Sequence, residues 1–181
     1  MGSMDSQVSA DYVASDATMT APYHRIAVAV GGRKNEAAVK YAAALAKESG
    51  AVVRVVHLRE REIYRGQSFV IESADDAEQV VDTALAELRE AGVAASSSVR
   101  IASVGREGVN IVDEALGWGA DAIVLGPGPR RSWRRLFGRG VCEQVLRTST
   151  IPVIVASTSY EPYKLSETAT DTRTARERHA A

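Results

Sequence analysis

The sequence predicts an α/β fold built on one open, parallel sheet of five strands with helices on both faces. Short apolar runs alternate strictly with helical patterns along the chain. Such alternation gives right-handed crossovers between parallel strands, and the helices then cover both faces of the sheet. The apolar runs also lack a polar residue at every second position, which is typical of strands that are buried on both sides.

The first half of the folded region supplies two strands and the helix between them. Residues 24–30 (HRIAVAV) form the first apolar run, and a pair of glycines ends it. Asn35 is the expected N-cap of an alanine-rich helix, and Gly50 is its expected stop. Residues 51–58 (AVVRVVHL) form the second predicted strand.

A longer polar connection, residues 59–72, leads from the second strand to the second helix. This helix has one apolar stripe and ends at Gly92, which follows its last turn. The members of the stripe are Ala77, Val80, Val81, Ala84, Leu85 and Leu88.

The remaining elements follow at shorter spacing. Residues 98–104 (SVRIASV) are the third strand, and the segment GVNIVDEALGWG is a helix that ends at Gly119. The fourth strand is DAIVLG, the fourth helix is VCEQVLRTS, and the fifth strand runs from Ile151 to Ala156. In parallel sheets ligands bind beyond the carboxyl ends of the strands, so the loops at that edge are the candidate site.

Length and composition indicate one domain of residues 24–157 between two polar tails, 1–23 and 158–181, which we expect to be disordered. The three residues before Met4 resemble a cloning remnant. The N-terminus lacks the basic start of a secretory signal, and a single cysteine, Cys142, fits a reducing compartment, so we expect a cytoplasmic protein. No apolar run reaches the roughly 20 residues that cross a bilayer. A net charge of −1 does not favour specific nucleic-acid binding.

Four segments of the chain resemble the universal stress protein family. They are IAVAVGG with the following AAVKYAAALA, VVHL, GADAIVLG and GVCEQVLRTSTIPVIV. The resemblance covers residues 24–156 and implies a Rossmann-like, flavodoxin-like sheet of the adenine nucleotide alpha hydrolase type, with strand order 3-2-1-4-5. It also implies a homodimer that pairs the final strand, Ile151 to Ala156, with the same strand of a second copy.

Family members that bind ATP use a Gly-x-x-Gly-x9-Gly-Ser/Thr stretch and an aspartate at the end of the first strand. Aligned without gaps, the four motif positions fall on Gly126, Pro129, Arg139 and Gly140, and the aspartate falls on Gly31. Proline has no N–H to donate to a phosphate, and glycine offers neither a hydroxyl nor a carboxylate. The resemblance therefore implies a degenerate pocket that does not bind ATP in the usual way.

The candidate pocket combines the loops after the first, second and fourth strands. Leu58 keeps the apolar character of the adenine-contacting position. The candidate nucleotide- or anion-binding residues are Gly31, Gly32, Leu58, Gly126, Gly128, Arg130, Arg139 and Gly140. The arginines of residues 127–139 either hold an anion by charge-assisted hydrogen bonds beside the start of the fourth helix or keep a solvated loop soluble. Both interpretations stay open at this point.

No nucleophile–base pair and no metal-ligand spacing is evident, so catalysis and a bound metal are not expected. His57 is expected to be a packed, hydrogen-bonded core residue, Cys142 a structural thiol and Trp118 a packing residue. The leading hypothesis is a non-catalytic, homodimeric regulator or binding protein of the stress response with an unknown protein partner and no cofactor. The alternative is an adenine-nucleotide binder, for ATP, AMP or cyclic AMP, with at most slow hydrolysis. A redox or anion sensor built on Cys142 and the arginines is a third hypothesis.

Overall fold

The computed structural model describes residues 22–31, 36–126, 140–157 and 160. Its strands are β1 (Arg25–Val30), β2 (Val52–Tyr64), β3 (Gln67–Val70), β4 (Ala95–Ser103), β5 (Ala122–Leu125) and β6 (Val153–Val155). Its helices are α1 (Glu36–Ser49), α2 (Ala74–Glu90), α3 (Glu107–Trp118) and α4 (Val141–Thr148). The predicted tails fall almost entirely outside the described residues.

Five parallel strands form the sheet in the order β4-β2-β1-β5-β6. Numbered along the chain without β3, this order is 3-2-1-4-5, so the predicted topology is confirmed. The predicted stops are confirmed as well, because Gly50, Gly92 and Gly119 each follow a helix with a positive φ. The predicted N-cap Asn35 lies outside the described residues.

The sheet has a sixth strand that the sequence analysis did not predict. β2 continues to Tyr64 instead of ending at Leu58, and β3 returns antiparallel to it within the expected polar connection. The turn between them places Arg65 at φ 49° and Gly66 at φ 77°, the pair of positive φ angles that suits a two-residue hairpin. All side chains of β3 are exposed, so this strand lacks the apolar alternation that reveals a half-buried one.

Each face of the central strand β1 contributes to a different apolar cluster. Ile26, Val28 and Val30 pack with residues of α1 and α2 on one face. Ala27 packs with residues of α3 and α4, including Val145, on the other face. The expected helix layers on both faces of the sheet are therefore present.

Helices α3 and α4 approach each other closely at Gly108. Its backbone N–H donates to the Gln144 side-chain oxygen at 3.1 Å, which satisfies a free amide in the first turn of α3. A Cβ at this position would overlap the Cβ of Gln144 and lie 2.8 Å from the carbonyl oxygen of Val141. The missing side chain at Gly108 thus allows the contact that fixes α4, and with it the residue before α4, at the edge of the sheet.

Replacing Gly108 with alanine should destabilise the protein by about 1–3 kcal/mol, because the added methyl overpacks the contact between α3 and α4. Gly117 lies in the same helix, and a Cβ there meets no described atom within 4 Å. G117A should therefore stabilise the protein by about 0.4–1 kcal/mol through the better helix propensity of alanine. Urea unfolding measures both changes, and equal free energies of unfolding for the two variants would contradict the proposed steric role of Gly108.

Candidate functional site

The candidate site lies where β1 and β5 end side by side. Ala29 of β1 is paired with Leu125 of β5, so Gly31 and Gly126 follow the two strands at the same edge of the sheet. The chain leaves β1 towards one side of the sheet and leaves β5 towards the other. A crevice at such a switch of direction is the usual ligand position in open parallel sheets.

Four of the predicted pocket residues lie within the described part of the chain. Gly31 directly follows β1, and Gly126 directly follows β5. Gly140 is the N-cap residue of α4, and Leu58 is half-buried against the cluster under α3 and α4. The Cys142 thiol donates to the Gly126 carbonyl at 3.5 Å, which ties the end of β5 to the first turn of α4. The remaining predicted residues, Gly32, Gly128, Arg130 and Arg139, lie outside the described residues, as does Pro129.

The two described glycines that stand where the ATP site would have a carboxylate and a hydroxyl have room for side chains among the described residues. A Cβ on Gly31 or on Gly140 meets no described atom within 4 Å. Gly140 has φ −59°, a value that any residue adopts. Among the described residues, neither packing nor backbone strain therefore requires glycine at the positions where the family resemblance implies a carboxylate and a hydroxyl.

A buried histidine joins the ends of β1 and β2. His57 is 2% exposed, its Nδ1 lies 2.9 Å from the Val30 carbonyl oxygen, and its Nε2 lies 2.6 Å from Glu72 Oε2. Arg59 donates to the Glu72 carbonyl oxygen through Nη2 at 2.8 Å and through Nε at 3.2 Å. The expectation of a packed, hydrogen-bonded His57 is confirmed.

The partners of His57 were not predicted. Glu72 lies 15 residues further along the chain, and only the unpredicted hairpin of β2 and β3 brings it back to the sheet. No local spacing in the sequence indicates this contact. The one related feature of the sequence is that Glu72 directly precedes the capping residue Ser73.

Two further carboxylates, Glu60 and Glu107, lie near this network. Partial burial raises the pKa of the Glu60 carboxyl, and the neighbouring carboxylates Glu107 and Glu72 raise it further. Glu107 accepts a hydrogen bond from the Gly105 backbone N–H at 2.7 Å, which holds it at the start of α3. Glu60, Glu72 and Glu107 therefore form a cluster of carboxylates near the end of β2.

Two further predictions concern single residues. Cys142 is a free, half-buried thiol in α4, as expected for its partly buried face. Trp118 lies at the opposite edge of the sheet, where the guanidinium groups of Arg25 and Arg54 sit 5.5 and 4.8 Å from its ring centroid, and it packs against the cluster under α3. The expected packing role of Trp118 is confirmed.

Among the described residues no cluster of histidine, cysteine and acidic side chains could hold a metal ion.

Comparison with protein families gives a match over residues 22–157 to the model of the Universal stress protein family. The chain belongs to the universal stress protein family. No curated protein matches it. Within the described residues, no helix is long and apolar enough to cross a membrane.

Solved structures with the same fold include several universal stress proteins. One from Archaeoglobus fulgidus is 26% identical, covers 74% of this chain and 98% of its own, and has a TM-score of 0.61. A structure of the universal stress protein from Archaeoglobus fulgidus in complex with dAMP is 26% identical, with 75% and 98% coverage and a TM-score of 0.57. A family protein from Arabidopsis thaliana with AMP bound is 14% identical, with 82% and 97% coverage and a TM-score of 0.52.

The cluster of carboxylates makes the stability of the protein depend on Glu60. Because the folded protein holds the Glu60 proton more tightly than the unfolded chain does, ionisation of this carboxyl lowers stability, and the loss is complete only above its raised pKa. E60Q should therefore raise the free energy of unfolding slightly at neutral pH, and this gain should vanish as the pH falls below about 4. E62Q, on the same exposed face of β2, is the matched control. Equal pH profiles for E60Q and E62Q in urea unfolding would contradict this account.

Proposed function

We propose that this chain is a non-catalytic regulator or binding protein of the cytoplasmic stress response that acts as a homodimer and holds Mg-ATP only weakly. One observation carries the proposal. At both described positions where an intact site would supply a carboxylate and a hydroxyl, the chain has glycines, Gly31 and Gly140, that packing against the described residues does not require. The described residues therefore do not fit the usual ATP site.

The expected loss of affinity follows from the missing hydrogen bonds. The hydroxyl and the carboxylate each account for about 0.5–1.5 kcal/mol, or more where a charge is involved. A backbone N–H is also missing at Pro129, which lies outside the described residues. Three such losses amount to several kcal/mol, and about 1.4 kcal/mol corresponds to a tenfold change in affinity.

The proposed dimer uses the edge strand β6. Among the described strands, β6 pairs only with β5, and Val155 at its end is 45% exposed. An exposed apolar edge tends to pair with another strand unless it is covered. Pairing the segment from Ile151 to Ala156 with its copy about a two-fold axis would bury that edge.

A second candidate function is the binding of an adenine nucleotide, ATP, AMP or cyclic AMP, with the arginines of residues 127–139 holding the phosphates. The observation that favours it is the dAMP complex of the Archaeoglobus fulgidus relative, which shares the fold and 26% of its residues. In this case Arg130 and Arg139 would replace the missing amide and hydroxyl, and the binding would resist salt because the phosphates would be specifically held.

Restoring the missing groups should increase the affinity for Mg-ATP. The double variant G31D/G140S adds a carboxylate and a hydroxyl where there is room for both, so we expect binding roughly tenfold or more tighter than that of the wild type. The matched control G31A/G140A adds the same Cβ atoms without polar groups and should bind as weakly as the wild type. Calorimetry with ATP, AMP and cyclic AMP at low and high salt measures these affinities.

The same titrations separate the two candidate functions. Weak, salt-sensitive binding by the wild type supports the proposed regulator. Salt-resistant micromolar binding that is lost in R130A or R139A would refute it and support the nucleotide-binding alternative.

A charge on the exposed edge should break the dimer. V155E places a carboxylate in the proposed strand pair, where desolvation of the charge is unfavourable, so we expect monomers or aggregates. V155T keeps the branched shape at the same position and should remain a dimer. Analytical ultracentrifugation at micromolar concentration distinguishes these states, and a monomeric wild type would show that the proposed dimer is wrong.

A further inference from the structure

The hairpin of β2 and β3 projects beyond the parallel sheet, and we refer to residues 61–70 as the arm. Every residue of the arm is exposed. Arg61 is paired with Val70 of β3 and also with Ser103 of β4, so β3 and β4 lie on opposite sides of β2. Because β1 also pairs with β2 on the side away from β4, the arm returns to the sheet past the carboxyl end of β1.

Two contacts hold the returning chain at Glu72. The Glu72 carboxylate meets His57, and its carbonyl oxygen accepts two hydrogen bonds from Arg59. One residue later, Ser73 caps α2, where its hydroxyl oxygen accepts a hydrogen bond from the Asp76 backbone N–H at 3.0 Å. The start of α2 is therefore anchored by its own cap, whereas the end of the arm is held by the contacts of Glu72 and by the backbone hydrogen bond from Ile71 to Glu60.

The contact between His57 and Glu72 requires one proton. The Val30 carbonyl oxygen can only accept, so the hydrogen bond at Nδ1 requires a hydrogen on that nitrogen. The other nitrogen, Nε2, lies 2.6 Å from a carboxylate oxygen. This distance is a hydrogen bond if a proton lies between the two atoms, either as imidazolium with carboxylate or as imidazole with carboxylic acid. Without that proton, the Nε2 lone pair faces a negatively charged oxygen.

We propose that His57 and Glu72 form a one-proton latch that holds the arm against the carboxyl end of β1 and opens when the shared proton is lost. The latch is closed at low pH and opens as the pH rises, because removal of the proton replaces a charge-assisted hydrogen bond with repulsion. Opening leaves the Arg59 contacts in place, so it loosens the end of the arm without unfolding α2.

Charged and polar groups from three elements surround the latch. On β2, the Arg59 guanidinium donates to the Glu72 carbonyl, and the carboxylate of Glu60 lies close to Glu72. On α3, Glu107 adds a second carboxylate close to Glu60. From β1, the Val30 carbonyl contributes its negative end and keeps the imidazole in one orientation.

The substitution E72Q keeps the contact with His57 Nε2 but removes the need for the shared proton. In E72Q the side-chain amide can donate to the unprotonated Nε2 of a neutral imidazole that keeps its hydrogen on Nδ1. The contact is then present without the extra proton, so the arm should stay closed across the pH range. E72A removes the contact altogether and should leave the arm open at every pH.

The test is carried out on the full chain without any nucleotide, so its outcome is independent of the proposed function. Hydrogen exchange of the Ile71 amide, which donates to the Glu60 carbonyl at 3.0 Å, reports on the end of the arm. After correction for intrinsic exchange, its protection in the wild type should fall roughly tenfold to a hundredfold between about pH 5 and about pH 9. Protection in E72Q should not change with pH. The Val104 amide, which donates to Arg61 on the other side of β2, is the internal control.

Nitrogen NMR of the wild-type imidazole provides a second measurement that needs no variant. His57 should carry hydrogens on both nitrogens, or share the second with Glu72, at low pH and keep only the Nδ1 hydrogen at high pH. The latch is refuted if Nδ1 carries no hydrogen at any pH, or if E72Q and wild type lose protection at Ile71 in parallel. A wild type whose Ile71 protection is constant with pH would also refute it.

Discussion

The burial of β1 on both faces is the constraint on which the rest of the structure depends. Ile26, Ala27 and Val28 of this strand are all completely buried. A strand without a solvent face needs a helix layer on each side of the sheet, and the chain provides α1 and α2 for one and α3 and α4 for the other. To reach both layers the chain must change its direction across the sheet, and it does so between β4 and β5. That change places the ends of β1 and β5 side by side, at the kind of edge where ligands bind in open parallel sheets.

The glycines near this edge of the sheet differ in whether packing requires them. At Gly108 the missing side chain is a packing requirement, because a Cβ would overlap Gln144 and separate α3 from α4. At Gly31 and Gly140 the described surroundings leave room for a side chain, so glycine there removes polar groups without serving the fold. This contrast links the geometry to the proposed function. On the alignment that the family resemblance implies, the described chain has glycine at two positions where an intact ATP site would supply a carboxylate and a hydroxyl.

Membership in the family does not by itself assign an activity, since one fold supports many functions. The Archaeoglobus fulgidus relative and this chain share the sheet and its switch of direction, but the polar residues at the edge decide what can bind there. In this chain the described edge carries an acidic network, with His57 joined to Glu72 and with Glu60 and Glu107 close by.

The sequence by itself determined the order of the elements, the parallel sheet, the helix stops and the buried character of His57. These features follow from local apolar patterns and from glycines at fixed positions, which are properties of neighbouring residues. Only the tertiary structure decided that the polar connection forms the arm, because both faces of β3 are exposed and leave no apolar alternation. It also decided that Glu72 meets His57 and that Gln144 meets Gly108. These contacts join residues 15 and 36 positions apart. The distance between such residues is set by the folded backbone, and local sequence patterns carry no information about it.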